Sequence, residues 1–158
     1  MNSTKNNGFK FLDFISVKED EIEDYYPIAG SYAVLKSLGK YLLCYNTWRK
    51  QWELPAGKRE ENESPKECAI RELYEETGQS VDDLEFKGLL KVKNLSKNNV
   101  KYNPVYFATV EKIHPFLPNN ETSEIVWWNL KDDIGTIDET DYTFLTTLSS
   151  LEQKRKLQ

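Results

Sequence analysis

The chain is poor in the residues that cross-link small proteins or gather metals by themselves. Its 158 residues include two cysteines, one histidine and one methionine. Cys44 and Cys68 form no CxxC pair and cannot frame a disulfide-rich fold, so reduced thiols in a cytosolic setting are the expectation. His114 stands in a loop ahead of Pro115 and reads as structural or solvated rather than as a ligand. Long apolar runs are also missing: no window approaches the roughly 18 apolar residues of a membrane span. The opening MNSTKNNG lacks the apolar core of a signal peptide, and residues 1–8 are expected to fray. These absences point to a cytoplasmic protein with no membrane partner. Positive charge is short as well, with 21 basic against 26 acidic residues, a net charge of -5 and a pI near 5.1. That balance argues against an extended nucleic-acid surface and leaves a small or end-specific nucleotide as the compatible ligand class.

What is present suits one globular domain, expected over residues 9–158: 39% hydrophobic and 30% charged residues, with four Trp, nine Tyr and seven Phe. No internal repeat or low-complexity tract interrupts it. FKFLDFISV alternates as a strand. Tyr32–Lys36 and Lys40–Tyr45 read as two strands around a Leu38-Gly39 turn, and Trp52–Leu54 as a short one before a Pro-Ala-Gly break. LEFKGLLKVKNL and VKYNPVYFATVE read as a hairpin with its tip at Lys97-Asn98-Asn99, and IHPFLPNNETSE as a loop leading to a strand at EIVWWNL. A final amphipathic helix over Thr140–Lys156 carries Phe144, Leu145, Leu148 and Leu151. Strands before and after one helix, with a second helix at the end, predict an α/β fold: a mixed sheet with helices on both faces.

The segment GKREENESPKECAIRELYEETG contains the best-marked element. Ser64 is the expected N-cap, Pro65 sits at the first helical position and Glu67 completes a capping box, so a helix should run to about Thr77 and end at Gly78. At about 100° per residue, Glu72, Glu75 and Glu76 fall within roughly 100° of arc, with Ile70, Leu73 and Thr77 grouped on the other side. Three carboxylates so close repel unless a cation joins them, and oxygen ligands suit Mg²⁺, with Mn²⁺ as the alternative. For the helix taken alone an ordinary solvated acidic face is the commoner explanation.

The spacing around the helix adds to this. Gly57, five residues, Glu63, seven residues, then Arg71-Glu72-Leu73, one residue, Glu75-Glu76, one residue and Gly78 resembles the Nudix box, departing only at Gln79, where the pattern has an aliphatic residue. Seven fixed polar or glycine positions would coincide by chance at about one start in ten million. Leu54-Pro55-Ala56-Gly57-Lys58 is similar to the strand and turn leading into the box. The resemblance implies the Nudix fold, an α/β/α sandwich with the box helix and a C-terminal helix, and MutT-like hydrolysis of a diphosphate linkage. It also implies site roles. Glu72, Glu75 and Glu76 would hold metal with the Gly57 carbonyl, Glu63 would stand at the edge of the metal site, and Arg71 would orient carboxylates. The general base that the resemblance implies is either a glutamate of the box, with Glu72 and Glu75 as catalytic candidates, or a carboxylate of the later loop, where Glu121 is preferred over Glu124.

For substrate binding, Trp48, Trp52, Tyr102, Tyr106 and Phe107 are the aromatic candidates, most of them readable as core. Trp48 stands out because it lies in the polar loop TWRKQ. Arg49 and Lys50 beside it, and Lys58 and Arg59 after the turn, are candidates for phosphate contacts. The leading reading is a Mg²⁺-dependent pyrophosphohydrolase of a nucleoside triphosphate or modified nucleotide, releasing a monophosphate and pyrophosphate, with a homodimer left open. The competing readings are an ADP-ribose or nucleotide-sugar hydrolase, an RNA 5′-end pyrophosphohydrolase, and a non-catalytic nucleotide sensor. The first competitor resembles the ELPAGK run but lacks the proline expected near Asn94 and Leu95. The sensor is disfavoured because every box carboxylate is present.

Overall fold

The computed structural model describes residues 2–156. Ten strands and two α-helices follow one another as β1 (Ser3–Lys5), β2 (Phe9–Ile15), β3 (Ser31–Ser37), β4 (Lys40–Asn46), β5 (Gln51–Glu53), β6 (Ala56–Gly57), α1 (Pro65–Thr77), β7 (Glu85–Asn94), β8 (Asn99–Thr109), β9 (Thr122–Trp128), β10 (Thr136–Asp138) and α2 (Glu139–Lys156), with a 3-10 helix at Glu19–Asp24. The strands form one curled mixed sheet in the order β1-β10-β5-β4-β3-β8-β7-β2, with β9 on β4 and β6 on β3.

β3 explains why both faces are covered. Its side chains alternate: Val34 joins a core with Tyr41, Leu43, Val105, Phe144, Leu145 and Leu148, beneath α2. Ala33 and Leu35 point the other way and join Leu42, Ala69, Leu73 and Tyr106, beneath α1. A strand with apolar residues on both pleat faces must be buried on both, and the result is the expected α/β/α arrangement. Leu151 ends the apolar stripe of α2 and is exposed.

The pairing also decides where the site lies. β3 meets β4 only near the tight turn, at Lys36↔Tyr41 and Ser37↔Lys40, and runs parallel to β8 from Tyr32↔Val105 to Lys36↔Thr109. Its first residues diverge from β4 and pair instead with β6, Ser31↔Gly57 and Tyr32↔Ala56. The cleft described below opens beside this β3–β6 pair, with Gly30, Tyr32, Ala56 and Gly57 in its wall.

Four elements differ from the sequence reading. Residues 3–5, expected to fray, form a parallel strand on β10 with Ser3 opposite Thr136. Asparagine side chains make this possible by imitating backbone groups: Asn2 Nδ2 donates to Asp132 O (3.0 Å), and Ile134 N donates to Asn2 Oδ1 (2.8 Å). β6, β10 and the 3-10 helix are each six residues or shorter, too brief to leave a periodic signal.

Candidate active site

The entry to β3 and the end of β6 build the floor of the site from two glycines, Gly30 and Gly57. A Cβ on Gly30 would strike the Gly57 carbonyl, and one on Gly57 would strike the Glu72 carboxylate. At Gly30 the atoms met are backbone, so only glycine lets the entry to β3 approach the end of β6 so closely. The Gly57 carbonyl accepts a weak bond from Cys68 Sγ at 3.2 Å.

α1 itself follows its signals. Ser64 Oγ accepts from Glu67 N (3.1 Å), Glu67 Oε1 accepts from Ser64 N (2.9 Å), and Gly78 closes the helix at φ 82°. Its orientation adds what the arc does not give. Of the three glutamates, Glu76 is buried along with Cys68, Ala69, Leu73 and Thr77. Glu76 is 9% exposed and accepts from Ala56 N at 2.9 Å. Burial, reinforced by the charge of Glu72, pushes its carboxyl up to about 9 against the opposing pull of the Ala56 N–H. Glu72 is also raised, chiefly by burial, and Arg71 holds it back. Glu75 lies on the outer flank of the helix.

Arg71 organises the box. Its Nε and Nη2 grip Glu63 at 2.7 and 2.9 Å, Nη1 bonds Glu72 (2.8 Å) and Glu75 (3.1 Å), and Nη2 reaches the Lys58 carbonyl (3.0 Å). Glu63 is therefore an anchor for Arg71, which pulls its carboxyl down to about 2, and the structure does not bring it among the helix carboxylates. Among the described residues no three acidic, thiol or imidazole groups are gathered into a ready metal cage. Glu72 and Glu75 turn to Arg71, and Glu76 turns to Ala56. The donor set nonetheless fits a hard divalent cation: two desolvated carboxylates of raised pKa stand beside the Gly57 backbone carbonyl.

Across from α1, Glu121 accepts from Asn46 Nδ2 (3.1 Å), with Arg49 Nη2 at 3.7 Å. Its charge reaches both Glu72 and Glu76. Glu53, which the sequence reading passed over, is held by Arg49 (2.6 and 3.0 Å), Gln51 (2.6 Å) and Asn46 (3.2 Å) and adds to the same field.

Beside Gly57 opens a cavity of about 480 Å³ lined by Ile28, Tyr32, Lys58, Arg59, Lys101 and Asn103, among others. It shares Tyr32, Ala56 and Lys101 with a second lobe of about 250 Å³, whose walls include Phe9 and Val92 and whose polar end has Glu53, Asp138 and Asp141. Burial, then the charge of Lys58, lowers the Lys101 ammonium from its ordinary range. Asp141 is raised by burial and by Asp138, while its Oδ2 accepts from Leu54 N at 2.9 Å.

The structure thus brings together Gly57, Glu72, Glu75, Glu76, Arg71, Glu121, Arg49 and Lys58. It separates Phe107, which packs on the α2-side core and faces a different cavity with Lys18 and Glu85. Trp48 is 70% exposed at the β4–β5 turn and lines neither lobe. Trp52 and Tyr106 are buried, their polar atoms bonded to Ile134 O and Glu19. The aromatic residue that does line both lobes is Tyr32. Only the tertiary structure reveals it, through the pairing of β3 with β6, and adds Lys101 and Asn103 from β8 and Asp141 from α2.

The model of the NUDIX domain matches residues 26–148. The chain is 43% identical over 75 residues to the putative 8-oxo-dGTP diphosphatase YtkD of Bacillus subtilis, covering 48% of this chain and 46% of that protein. It is 29% identical over 107 residues to the m7GpppN-mRNA hydrolase of Saccharomyces cerevisiae, covering 66% of this chain and 11% of that protein. The matches thus span about half or less of these curated relatives. Among solved structures, a mutant of the pyrophosphohydrolase BsRppH of Bacillus subtilis superposes with a TM-score of 0.67 at 24% identity, covering 90% of both chains, which bears on the fold. With a family match across both sheet faces and the box arginine and glutamates assembled around Gly57, the chain belongs to the NUDIX domain family.

Proposed function

We propose that the protein is a divalent-cation-dependent pyrophosphohydrolase of a nucleoside 5′-triphosphate, releasing the monophosphate and pyrophosphate. The observation that carries this reading is the juxtaposition of the Gly57 carbonyl, Glu72 and Glu76 with a two-lobed cleft that is cationic on one side and acidic at its far end. A cation bound by Glu72, Glu75, Glu76 and the Gly57 carbonyl, Mg²⁺ in preference to Mn²⁺, would neutralise phosphate charge and make water nucleophilic near neutral pH. Arg71, fixed by Glu63, sets the carboxylates' directions. Lys58, Arg59 and Lys101 meet phosphate oxygens, and an anion between Lys58 and Lys101 relieves their mutual repulsion. Glu121 takes a proton or shares the cation from the loop opposite α1.

The second lobe suits a planar base between Phe9, Tyr32 and Val92, and its Glu53, Asp138 and Asp141 favour an edge rich in N–H donors, as in guanine. The likeness to YtkD supports the guanine class. A triphosphate carried on the 5′ end of an RNA is the second reading, favoured by the cationic lobe and by the likeness to the yeast mRNA hydrolase.

Incubation with Mg²⁺ and a panel of GTP, 8-oxo-dGTP, ATP, ADP-ribose and 5′-triphosphorylated RNA, with product identification, tests the reading. Pyrophosphate and a guanine monophosphate are expected. Glu75→Gln and Glu76→Gln should each lower kcat on the order of a hundredfold or more, with circular dichroism unchanged. Near-wild-type turnover in both variants would remove the assignment.

A further inference from the structure

The residue that departs from the box pattern has a use. Gln79 is 1% exposed, and both ends of its amide are spent on one residue of a distant loop: Nε2 donates to His114 O at 2.7 Å and Oε1 accepts from His114 N at 2.9 Å. An aliphatic side chain would leave both backbone groups unpaired. The loop between Glu111 and Glu121 is fastened to the exit of α1 at two further points. Leu117 N donates to Thr77 O (3.4 Å), and Asn119 Nδ2 donates to Glu76 O (3.1 Å). Gly78 permits this docking, because a Cβ there would press on Pro115 O and Leu117.

Asn119 is the joint. While its amide nitrogen holds the last turn of α1, its Oδ1 accepts from Glu121 N (3.0 Å) and Thr122 N (2.8 Å). Glu121 O in turn accepts from Thr47 N at 2.8 Å, which ties the far side of the loop to the β4–β5 turn. The direction in which Glu121 leaves the backbone is therefore set relative to Glu76 through Asn119, and Gln79 fastens the same loop to the exit of α1 five residues earlier, at His114. We propose that Gln79 and Asn119 are positioning residues that clamp the 113–121 loop onto the exit of α1 and so hold Glu121 toward Glu72 and Glu76 during the reaction. The proposal rests on the functional reading above, in which Glu121 works on the substrate side of the site.

The test combines Gln79→Leu and Asn119→Ala with Glu121→Gln, measuring kcat and KM for hydrolysis of GTP and thermal unfolding of each protein. In the wild-type background each clamp variant should lower kcat ten- to a hundredfold with KM changed less than twofold, as a displaced catalytic group would. In the Glu121→Gln background the same changes should cost little more, because the group they position is gone. An undiminished loss in that background, an unchanged kcat in both clamp variants, or a Glu121→Gln protein as active as the wild type would each overturn the proposal while leaving the hydrolase standing. If Gln79→Leu fails to fold, Asn119→Ala decides. A wild type that hydrolyses nothing would remove the functional reading and the catalytic part of this proposal. The clamp itself is then read by amide hydrogen exchange: faster exchange at Glu121 and Thr122 in Asn119→Ala supports it, and unchanged exchange overturns it.

Discussion

Glu76 is a carboxylate that the fold has taken out of water beside another acid, and this has a measurable consequence before any substrate binds. Its pKa stands at about 9 in the folded chain, against roughly 4.3 for an unfolded glutamate. Between those values the metal-free folded state keeps a proton that the unfolded chain releases, so stability falls as pH rises from about 4.5 to 9. Glu76→Gln fixes the neutral form. In chelator at pH 8 it should be more stable than the wild type by about 1 kcal/mol or more, which is roughly 2–4 °C in Tm, and its melting point should depend less on pH. Equal pH slopes for the two proteins would show that Glu76 ionises freely. Added Mg²⁺ should raise the wild-type Tm more than that of the variant. Glu63 behaves in the opposite sense. Arg71 holds its carboxyl near 2, so its contribution is present above the unfolded value and is lost as pH falls toward 2.

At the scale of the element, α1 shows how much a short signal can carry. Ser-Pro-x-Glu and the glycine after Thr77 place both ends of the helix, and the structure has the helix at Pro65–Thr77 with the capping box closed. Ser64→Ala should lower stability by about 1 kcal/mol, seen as a shift of the denaturant midpoint with unchanged slope. What the helical repeat leaves open is rotation. The wheel groups the glutamates correctly, but the angle at which the wheel meets the sheet depends on β6, and β6 leaves no periodic trace. In the folded chain the Glu72 carboxylate lies against Gly57 and Glu76 reaches the Ala56 N–H. Gln79 was legible as a departure from the pattern. Its pairing with His114, 35 residues away, was not.

For the whole molecule, the N-terminal strand closes more than an edge of the sheet. Lys5 Nζ donates to the Arg49 carbonyl at 2.9 Å, and Asn7 Nδ2 reaches Gln51 (2.9 Å) and Asp138 (2.6 Å) beside the second lobe. Deleting residues 2–7 removes these three bonds, the two made by Asn2 and the pairing of β1 with β10, and should therefore cost about 5 kcal/mol or more, at about 1 kcal/mol for each net hydrogen bond lost. It should also raise KM more than it lowers kcat, because the wall near Arg49 and Asp138 loosens while Glu72, Glu75 and Glu76 stay in place. Melting curves and steady-state kinetics on the truncated chain check both parts.

The amino-acid order alone determined the family pattern, the limits of α1, the central hairpins and the identity of the charged groups in the box, because each is written in residues adjacent or regularly spaced along the chain. Tertiary structure alone decided which carboxylates are buried, that Glu63 serves Arg71, that Phe107 belongs to the core, and that Tyr32, Lys101 and Asp141 line the cleft. Those outcomes depend on contacts between residues 8 to 87 positions apart, such as Arg71 with Glu63, Tyr32 with Ala56 and Leu54 with Asp141. Local propensity carries no information about which distant backbone a side chain will meet, and desolvation, which sets the electrostatics of the site, exists only once they have met.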